Sequence, residues 1–123
     1  MKIQFDDNYF MKKAIDEAKI ALSKGEVPVG AVIVADNKII ARAHNMVESL
    51  NDVTAHAEIL AITSASNYIG GKYLKNCSMY VTLEPCQMCA GALYWARISN
   101  LYFGASDPKR GYQVLGTVLH PKT

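Results

Sequence analysis

The chain has 123 residues, half of them hydrophobic, and a formal net charge of +2 at pH 7. This length predicts one small domain, which we take to span residues 1–123. The small net charge gives no sign of a chain-wide basic surface, and no low-complexity run suggests disorder. No apolar run approaches the roughly 20 residues of a membrane-spanning helix, and the N-terminus lacks an apolar signal-peptide core, so we expect a cytoplasmic protein with no membrane partner.

The predicted elements alternate between helices and strands. Residues 8–24 have apolar side chains at helical spacing and charged side chains between them, which predicts an amphipathic helix. The elements that follow are two strands around a tight turn in residues 27–45, a loop at 46–52, a helix from about Thr54 to Asn67, a strand at 78–83, a helix from about Cys86 to Arg97 and a strand at 100–105. Two strand–helix–strand links imply a mixed sheet with helices packed on it.

His56 and Glu58 offer an imidazole and a carboxylate two positions apart. In the middle of a helix these side chains would point about 200° apart. They can serve one site only if they lie in the first helical turn, with the site in front of the helix end. Asp52 and Thr54 are capping residue types just upstream, and they favour that placement.

Cys86 and Cys89 lie three positions apart, and Pro85 precedes them directly. On a helix this spacing puts both sulfurs on one face, and a proline suits the start of a helix. A helix N-terminus favours negative charge and therefore lowers a thiol pKa. The chain has 3 cysteines, an odd number that fits no simple disulfide framework. In a reducing compartment, Cys-x-x-Cys is typical of a metal site or a redox pair.

One histidine and two cysteines make three ligands of a tetrahedral zinc site. With His56, Cys86 and Cys89 as ligands, the fourth position stays open for water, which is the pattern of a catalytic zinc. Zinc makes such a water a nucleophile near neutral pH. Glu58 beside the open position can take the water proton and deliver it to a leaving amine. The pattern predicts hydrolytic deamination of an amidine-like carbon in a nucleobase.

Other interpretations of these residues explain less. A redox dithiol leaves His56 and Glu58 without a role. A structural zinc would need a fourth protein ligand, and the only spare cysteine, Cys77, is interpreted as an ordinary buried or half-buried thiol. His44 and His120 are interpreted as surface or loop histidines outside the metal site.

Two motifs resemble a known signature. "HAE" at 56–58 together with "PCQMC" at 85–89 is similar to the signature of the zinc-dependent cytidine deaminase superfamily. The segments "EVPVGAVIV", "TAHAEILAI", "YVTLEPCQMCAGAL" and "FGASDPKRG" resemble bacterial tRNA-specific adenosine deaminases, and the likeness covers nearly the whole chain. The resemblance implies a three-layer α/β/α fold around a mixed, five-stranded central sheet. It also implies one zinc ion per chain, a homodimer that binds RNA partly across its interface, and conversion of the wobble adenosine of a tRNA anticodon to inosine.

The resemblance assigns roles to individual residues. His56, Cys86 and Cys89 match the zinc ligands, and Glu58 matches the proton shuttle. The positions that match substrate contacts are Asn45 for the purine, Val29 for the pocket wall, the Ala57 backbone for the base, and Asp107, Lys109 and Arg110 for a loop near the RNA. An asparagine can offer a donor and an acceptor to a purine edge, whereas a cation pair in a loop either meets phosphates or is simply solvated.

Two features depart from this family. The segment "GALYWARIS" resembles guanine deaminases of the same superfamily as much as tRNA enzymes. Within it, helix packing is the simpler interpretation of Tyr94 and Trp95, and the apolar stretch that they form with Leu93 is the candidate dimer interface. In addition, only four strands are clear before the chain stops at "LHPKT". We therefore expect the last strand and the basic C-terminal helix of the family to be missing from this chain.

Three functions remain open at this point. The first is a deaminase of adenosine in a tRNA anticodon stem-loop, and the second is a deaminase of a free base or nucleoside such as guanine or cytosine. The third is a non-catalytic, zinc-stabilised RNA-binding module. Glu58 argues against the third, because a purely structural zinc site has no use for an unliganded carboxylate at an open position.

Overall fold

The computed structural model describes residues 3–113, and its elements follow the predicted order. The helices are α1 (Asp7–Ser23), α2 (Val47–Leu50), α3 (Ala57–Ile69) and α4 (Gln87–Ala96). The strands are β1 (Gly30–Ala35), β2 (Lys38–His44), β3 (Cys77–Leu83) and β4 (Asn100–Ala105). Over this described part of the chain, no helix is both long enough and apolar enough to cross a membrane.

The strands of residues 3–113 form one mixed sheet in the order β2-β1-β3-β4, which confirms the predicted sheet type. β1 is antiparallel to β2 and to β3, whereas β3 and β4 are parallel and are linked by α4. Asp36 and Asn37 make the β1–β2 turn with φ of 52° and 61°, a left-handed conformation that Asp and Asn tolerate. The end of the chain, where we expected the last strand and the C-terminal helix of the family to be missing, lies outside the described residues from residue 114 onward.

Helices cover both faces of the sheet. On one face, Phe10 and Ala14 of α1 pack against Val32, Val34 and Tyr80. The other face carries α3 and α4, whose small side chains let the helices approach the sheet closely; the cluster there includes Ala57, Ala61, Ala65, Ala90, Leu93 and Ala96 packed on Ile33, Met79 and Val81. β1 is therefore buried on both faces, as its uninterrupted apolar run predicts. The three-layer α/β/α arrangement is confirmed.

A short helix occupies the segment that we predicted as a loop. The backbone N–H groups of Glu48 and Ser49, in α2, donate to the carboxylate of Glu26 over 3.0 and 2.7 Å. This carboxylate holds the first turn of α2 from a distance of more than 20 residues along the chain. Local sequence pattern does not reveal such a contact, which is why the prediction of a plain loop was wrong.

The start of α3 also differs from the prediction. His56 is the N-cap residue of α3, so the helix begins at Ala57 rather than at Thr54. Asp52 accepts hydrogen bonds from the backbone N–H and the hydroxyl of Thr54 and makes a separate turn ahead of the helix, so these two residues do not cap it. The predicted position of His56 and Glu58 at the helix entrance is nonetheless confirmed.

Candidate active site

The N-terminal ends of two helices lie close together in the fold. His56 is the N-cap of α3 and Cys86 is the N-cap of α4, and neither uses its side chain to cap the helix. His56 Nδ1 lies 3.7 Å from Cys86 Sγ and 3.5 Å from Cys89 Sγ. The ligand atoms of the three residues all lie within 4.8 Å of one another. Residues some 30 positions apart are therefore brought together as the spacing analysis anticipated.

This triad has the composition and the spacing of a zinc site. Donor atoms held about 2.0–2.3 Å from a tetrahedral centre are roughly 3.5–3.8 Å apart, and the observed nitrogen–sulfur distances of 3.5 and 3.7 Å match that range. The hydrogen bond between the thiols lowers the pKa of Cys86, whose thiolate is the form that binds a metal. Cys89 is fully buried and Cys86 is half-buried, so the site is open on one side.

Glu58 lies in the first turn of α3, one residue beyond the start of the helix. Its side chain is only 4% exposed. Burial is the main cause that raises the pKa of this carboxyl group to about 7, against a lowering effect of its own backbone N–H. A carboxyl group that titrates near neutral pH can both accept and donate a proton, which is what a shuttle must do.

Asn45 follows β2 and is buried next to the entrance of α3. Its side-chain oxygen accepts a hydrogen bond of 2.7 Å from the backbone N–H of Ala57. This bond orients the amide, so that Nδ2 is the group left to donate to a ligand. The same bond occupies the Ala57 N–H, so a base that accepted a hydrogen bond from this N–H would have to share it with the oxygen of Asn45.

A cavity of about 350 Å³ opens onto these residues. Of the ten residues predicted for the site, seven line it: Val29, Asn45, His56, Glu58, Cys86, Asp107 and Arg110. The other three are not among its lining residues: Ala57 and Cys89 are buried, and Lys109 is exposed in the loop after β4. The volume suits one purine base with part of its sugar, in the range usual for small-molecule pockets.

The loop after β4 carries the predicted RNA-facing residues. Asp107 Oδ1 accepts hydrogen bonds of 3.0 Å from the backbone N–H groups of both Lys109 and Arg110. These bonds lower the pKa of Asp107, so its carboxylate stays charged and shapes the turn. Lys109 and Arg110 are exposed, and Arg110 reaches the mouth of the cavity.

Sequence reasoning missed two carboxylates of the cavity wall. Glu26 and Glu84 line it, and each is only 4% exposed. Both accept backbone N–H groups from segments far away in sequence, α2 for Glu26 and the loop after β4 for Glu84. One signal was present, because Glu84 interrupts an apolar strand end directly before Pro85, a position where an acidic side chain needs a buried partner.

Comparison with known proteins agrees with this geometry. Residues 4–105 match the cytidine and deoxycytidylate deaminase zinc-binding region. The tRNA-specific adenosine deaminase of Aquifex aeolicus is 56% identical over 103 residues, which are 84% of this chain and 68% of that protein. That of Bacillus subtilis is 52% identical over 105 residues, 85% of this chain and 65% of that protein. The chain thus spans about two thirds of the length of these relatives.

Solved structures give the same picture. A chain from studies of A-to-I editing by tRNA:A34 deaminases at the wobble position has a TM-score of 0.83 and 52% identity, over 85% of this chain and 75% of that chain. Guanine deaminase of Bacillus subtilis has a TM-score of 0.81 and 38% identity, over 91% of this chain and 69% of that chain. With a family match across most of the chain and a His–Cys–Cys triad at the entrances of two helices, this protein belongs to the cytidine and deoxycytidylate deaminase zinc-binding family.

Proposed function

We propose that this protein is a zinc-dependent hydrolase that converts adenosine to inosine at the wobble position of a tRNA anticodon. The observation that carries the proposal is the 56% identity to a tRNA-specific adenosine deaminase in a chain whose His56, Glu58 and Cys86 line one cavity. The net reaction adds one water at C6 of the adenine and releases ammonia. His56, Cys86 and Cys89 are the residues that would hold the zinc.

Zinc in such a site lowers the pKa of water and so supplies a nucleophile near neutral pH. The protein must then move protons and hold the base. Glu58, buried beside the triad, accepts the proton of the attacking water and later delivers a proton to the departing amine. Glu58 lines the same cavity as His56 and Cys86, so a water held by the zinc and a base in the cavity would both lie beside this carboxylate.

The base is held by groups that the fold already orients. Asn45 donates from Nδ2 to an acceptor on the purine edge, because its oxygen is committed to Ala57. Val29, which is buried and lines the cavity, forms part of the apolar wall. The backbone of Ala57, at the start of α3, is the remaining predicted contact to the base.

An RNA substrate explains the loop after β4. A base that enters the cavity must leave its stack, which costs a few kcal/mol and least in an unpaired loop. Contacts to neighbouring nucleotides offset that cost, and Arg110 at the cavity mouth with Lys109 beside it are the cations available there. Asp107 holds the turn that carries both.

A second candidate is deamination of a free base. It is favoured by the similarity to guanine deaminase, at 38% identity over 91% of this chain.

Purified protein should be incubated with total tRNA and, separately, with guanine, cytosine, adenosine and cytidine. We expect inosine in tRNA and little ammonia from the free compounds. Rapid ammonia release from guanine with no inosine in any tRNA would instead assign the second function.

We also propose that the protein is a cytoplasmic homodimer. Trp95 is 75% exposed and Met88, seven positions earlier on the same helix α4, is 39% exposed, so one face of α4 offers apolar side chains to a partner. Tyr94 is half-buried beside Trp95, whereas Leu93 is fully buried in the core and cannot contribute to an interface.

Trp95→Glu should convert a dimer to a monomer in sedimentation at micromolar concentration, and Met88→Gln should weaken the dimer less. A wild-type monomer would contradict this proposal.

A further inference from the structure

Glu84 lies where β3 leads into the metal-binding segment, and its carboxylate is buried. Glu84 Oε1 accepts the backbone N–H of Asp107 over 3.0 Å, and Oε2 accepts the backbone N–H of Gln113 over 3.1 Å. These donors lie 23 and 29 residues further along the chain. One side chain thus bridges the two ends of the segment 107–113, which we call the rim loop.

The rim loop closes directly on this carboxylate. A Cβ atom added at Gly111 would lie 2.3 Å from the carboxylate carbon of Glu84, so no side chain fits between them. The backbone N–H of Tyr112 donates to the carbonyl of Pro85 over 3.0 Å. The backbone of Gly111 pairs with that of Cys86 in an isolated antiparallel β-bridge. The rim loop is therefore joined to the metal ligand Cys86 and to the two residues that precede it.

We propose that Glu84 is a positioning residue for an RNA substrate: it holds the rim loop so that Arg110 stays at the mouth of the cavity. The RNA part of this inference rests on the proposed function. Both oxygens of Glu84 already accept backbone N–H groups, which suits a structural anchor rather than a proton carrier. An ordered loop loses less conformational entropy when it binds than a loop that must first be fixed.

This role predicts a specific kinetic signature. Contacts of the rim loop lie beside the reacting base rather than on it, so they are made equally in the substrate complex and in the transition state. Losing such contacts raises KM and leaves kcat unchanged. We expect Glu84→Gln to raise KM for an anticodon stem-loop RNA about tenfold, the factor that corresponds to about 1.4 kcal/mol of binding free energy. The zinc content should stay at the wild-type value.

Gly111→Ala is an independent second variant. The added methyl group displaces the flexible end of Glu84 without removing any acceptor, so it should reproduce the rise in KM. Asp6→Ala is the matched control for general destabilisation, because Asp6 caps α1 through the N–H of Tyr9 and does not line the cavity. It should lower Tm and leave KM unchanged.

A double-mutant cycle tests the route through Arg110. If Glu84 acts by holding Arg110, then adding Glu84→Gln to Arg110→Ala should raise KM little further. The same pair should flatten the salt dependence of RNA binding no more than Arg110→Ala alone. Fully additive effects would show that Glu84 does not act through this cation, and the inference would be wrong.

Hydrogen exchange tests the anchor without any substrate. In the wild type, the amides of Asp107 and Gln113 should exchange slowly, and Glu84→Gln should speed both while the amides of β3 stay protected. Unchanged exchange at these two amides would overturn the inference. A wild type that forms no inosine would refute the proposed function and the RNA role together, whereas active protein with an unchanged KM in Glu84→Gln would refute this inference alone.

Discussion

The side-chain oxygen of Asn45 accepts the backbone N–H of Ala57 over 2.7 Å, so the end of β2 is tied to the first turn of α3. The bond satisfies a buried N–H group at the helix entrance that carries His56 and Glu58. It also divides the roles within one amide, because the oxygen accepts the Ala57 N–H and Nδ2 is left to donate to a ligand in the cavity that Asn45 lines. Each end can be tested on its own.

Asn45→Asp should leave the stability of the fold nearly unchanged and weaken the recognition of the base. A carboxylate still accepts the Ala57 N–H, and the N-terminus of α3 favours its charge. The donor to the base is gone, so kcat/KM should fall on the order of 100-fold, as expected when about 2–3 kcal/mol of hydrogen bonding is lost. Asn45→Ala, which leaves the buried N–H without an acceptor, should instead lower the free energy of unfolding by about 1–3 kcal/mol. Equal loss of stability in both variants would contradict this division of roles.

Cys89→Ala should abolish zinc binding, because it removes one of the three ligands. Cys77→Ala is the matched control, since Cys77 is a buried cysteine of β3 outside the triad. Metal content per chain, measured by plasma mass spectrometry, should fall from about one zinc to near zero in the first variant and stay at about one in the second. A chelator should also lower the Tm of the wild type, because zinc stabilises only the folded chain that binds it.

Glu58→Gln should eliminate turnover and retain zinc. The amide has the size of the carboxyl group but cannot relay a proton, and losing a general acid–base residue costs about 100-fold to 10,000-fold in rate. Turnover should be measured as inosine formed in tRNA, with zinc content determined on the same sample. A variant that loses its metal would identify Glu58 as a ligand and refute the shuttle role.

Two glycines should respond in opposite directions to alanine. A Cβ at Gly30 would lie 2.1 Å from the carbonyl oxygen of Ala14, where α1 rests on β1, whereas a Cβ at Gly91 in α4 meets nothing within 4 Å. Gly30→Ala should lower the free energy of unfolding by about 3 kcal/mol or more through overpacking. Gly91→Ala, measured in the Trp95→Glu variant because Gly91 shares the face of α4 that carries the proposed interface, should raise it by about 1 kcal/mol, because alanine is the better helix residue. Urea denaturation measures both changes.

Glu26 should contribute stability that is lost in acid. Burial raises its pKa, but the hydrogen bonds from Glu48 and Ser49 and the attraction of His44 lower it more, so the net pKa lies below its ordinary value of 4.5. A carboxylate with a lowered pKa stabilises the fold above pH 4.5, and this contribution disappears as the pH falls through the folded pKa. Wild type should therefore be more stable than Glu26→Gln at pH 7, and the difference should shrink below pH 4.5. A difference that is independent of pH would exclude this role for the charge.

Local patterns in the sequence were sufficient for most elements and for the metal triad. The alternation of apolar and charged residues located α1, and the Asp36–Asn37 turn located the β1–β2 hairpin. His56 and Cys86 were recognisable because each lies at the start of a predicted helix, with Glu58 two positions after His56 and Cys89 three positions after Cys86. Such signals survive in the sequence because each depends on neighbours within one turn of helix or one hairpin.

Contacts between distant segments were decided only by the tertiary structure. The sequence contains Glu26 and Glu84, but their acceptor roles depend on N–H groups more than 20 residues away. The helix α3 begins at Ala57 and not at the predicted Thr54, because Asp52 makes a separate turn with Thr54 instead of capping the helix. A buried carboxylate must find donors wherever the folded chain brings them, and that choice is made by packing rather than by the residues beside it.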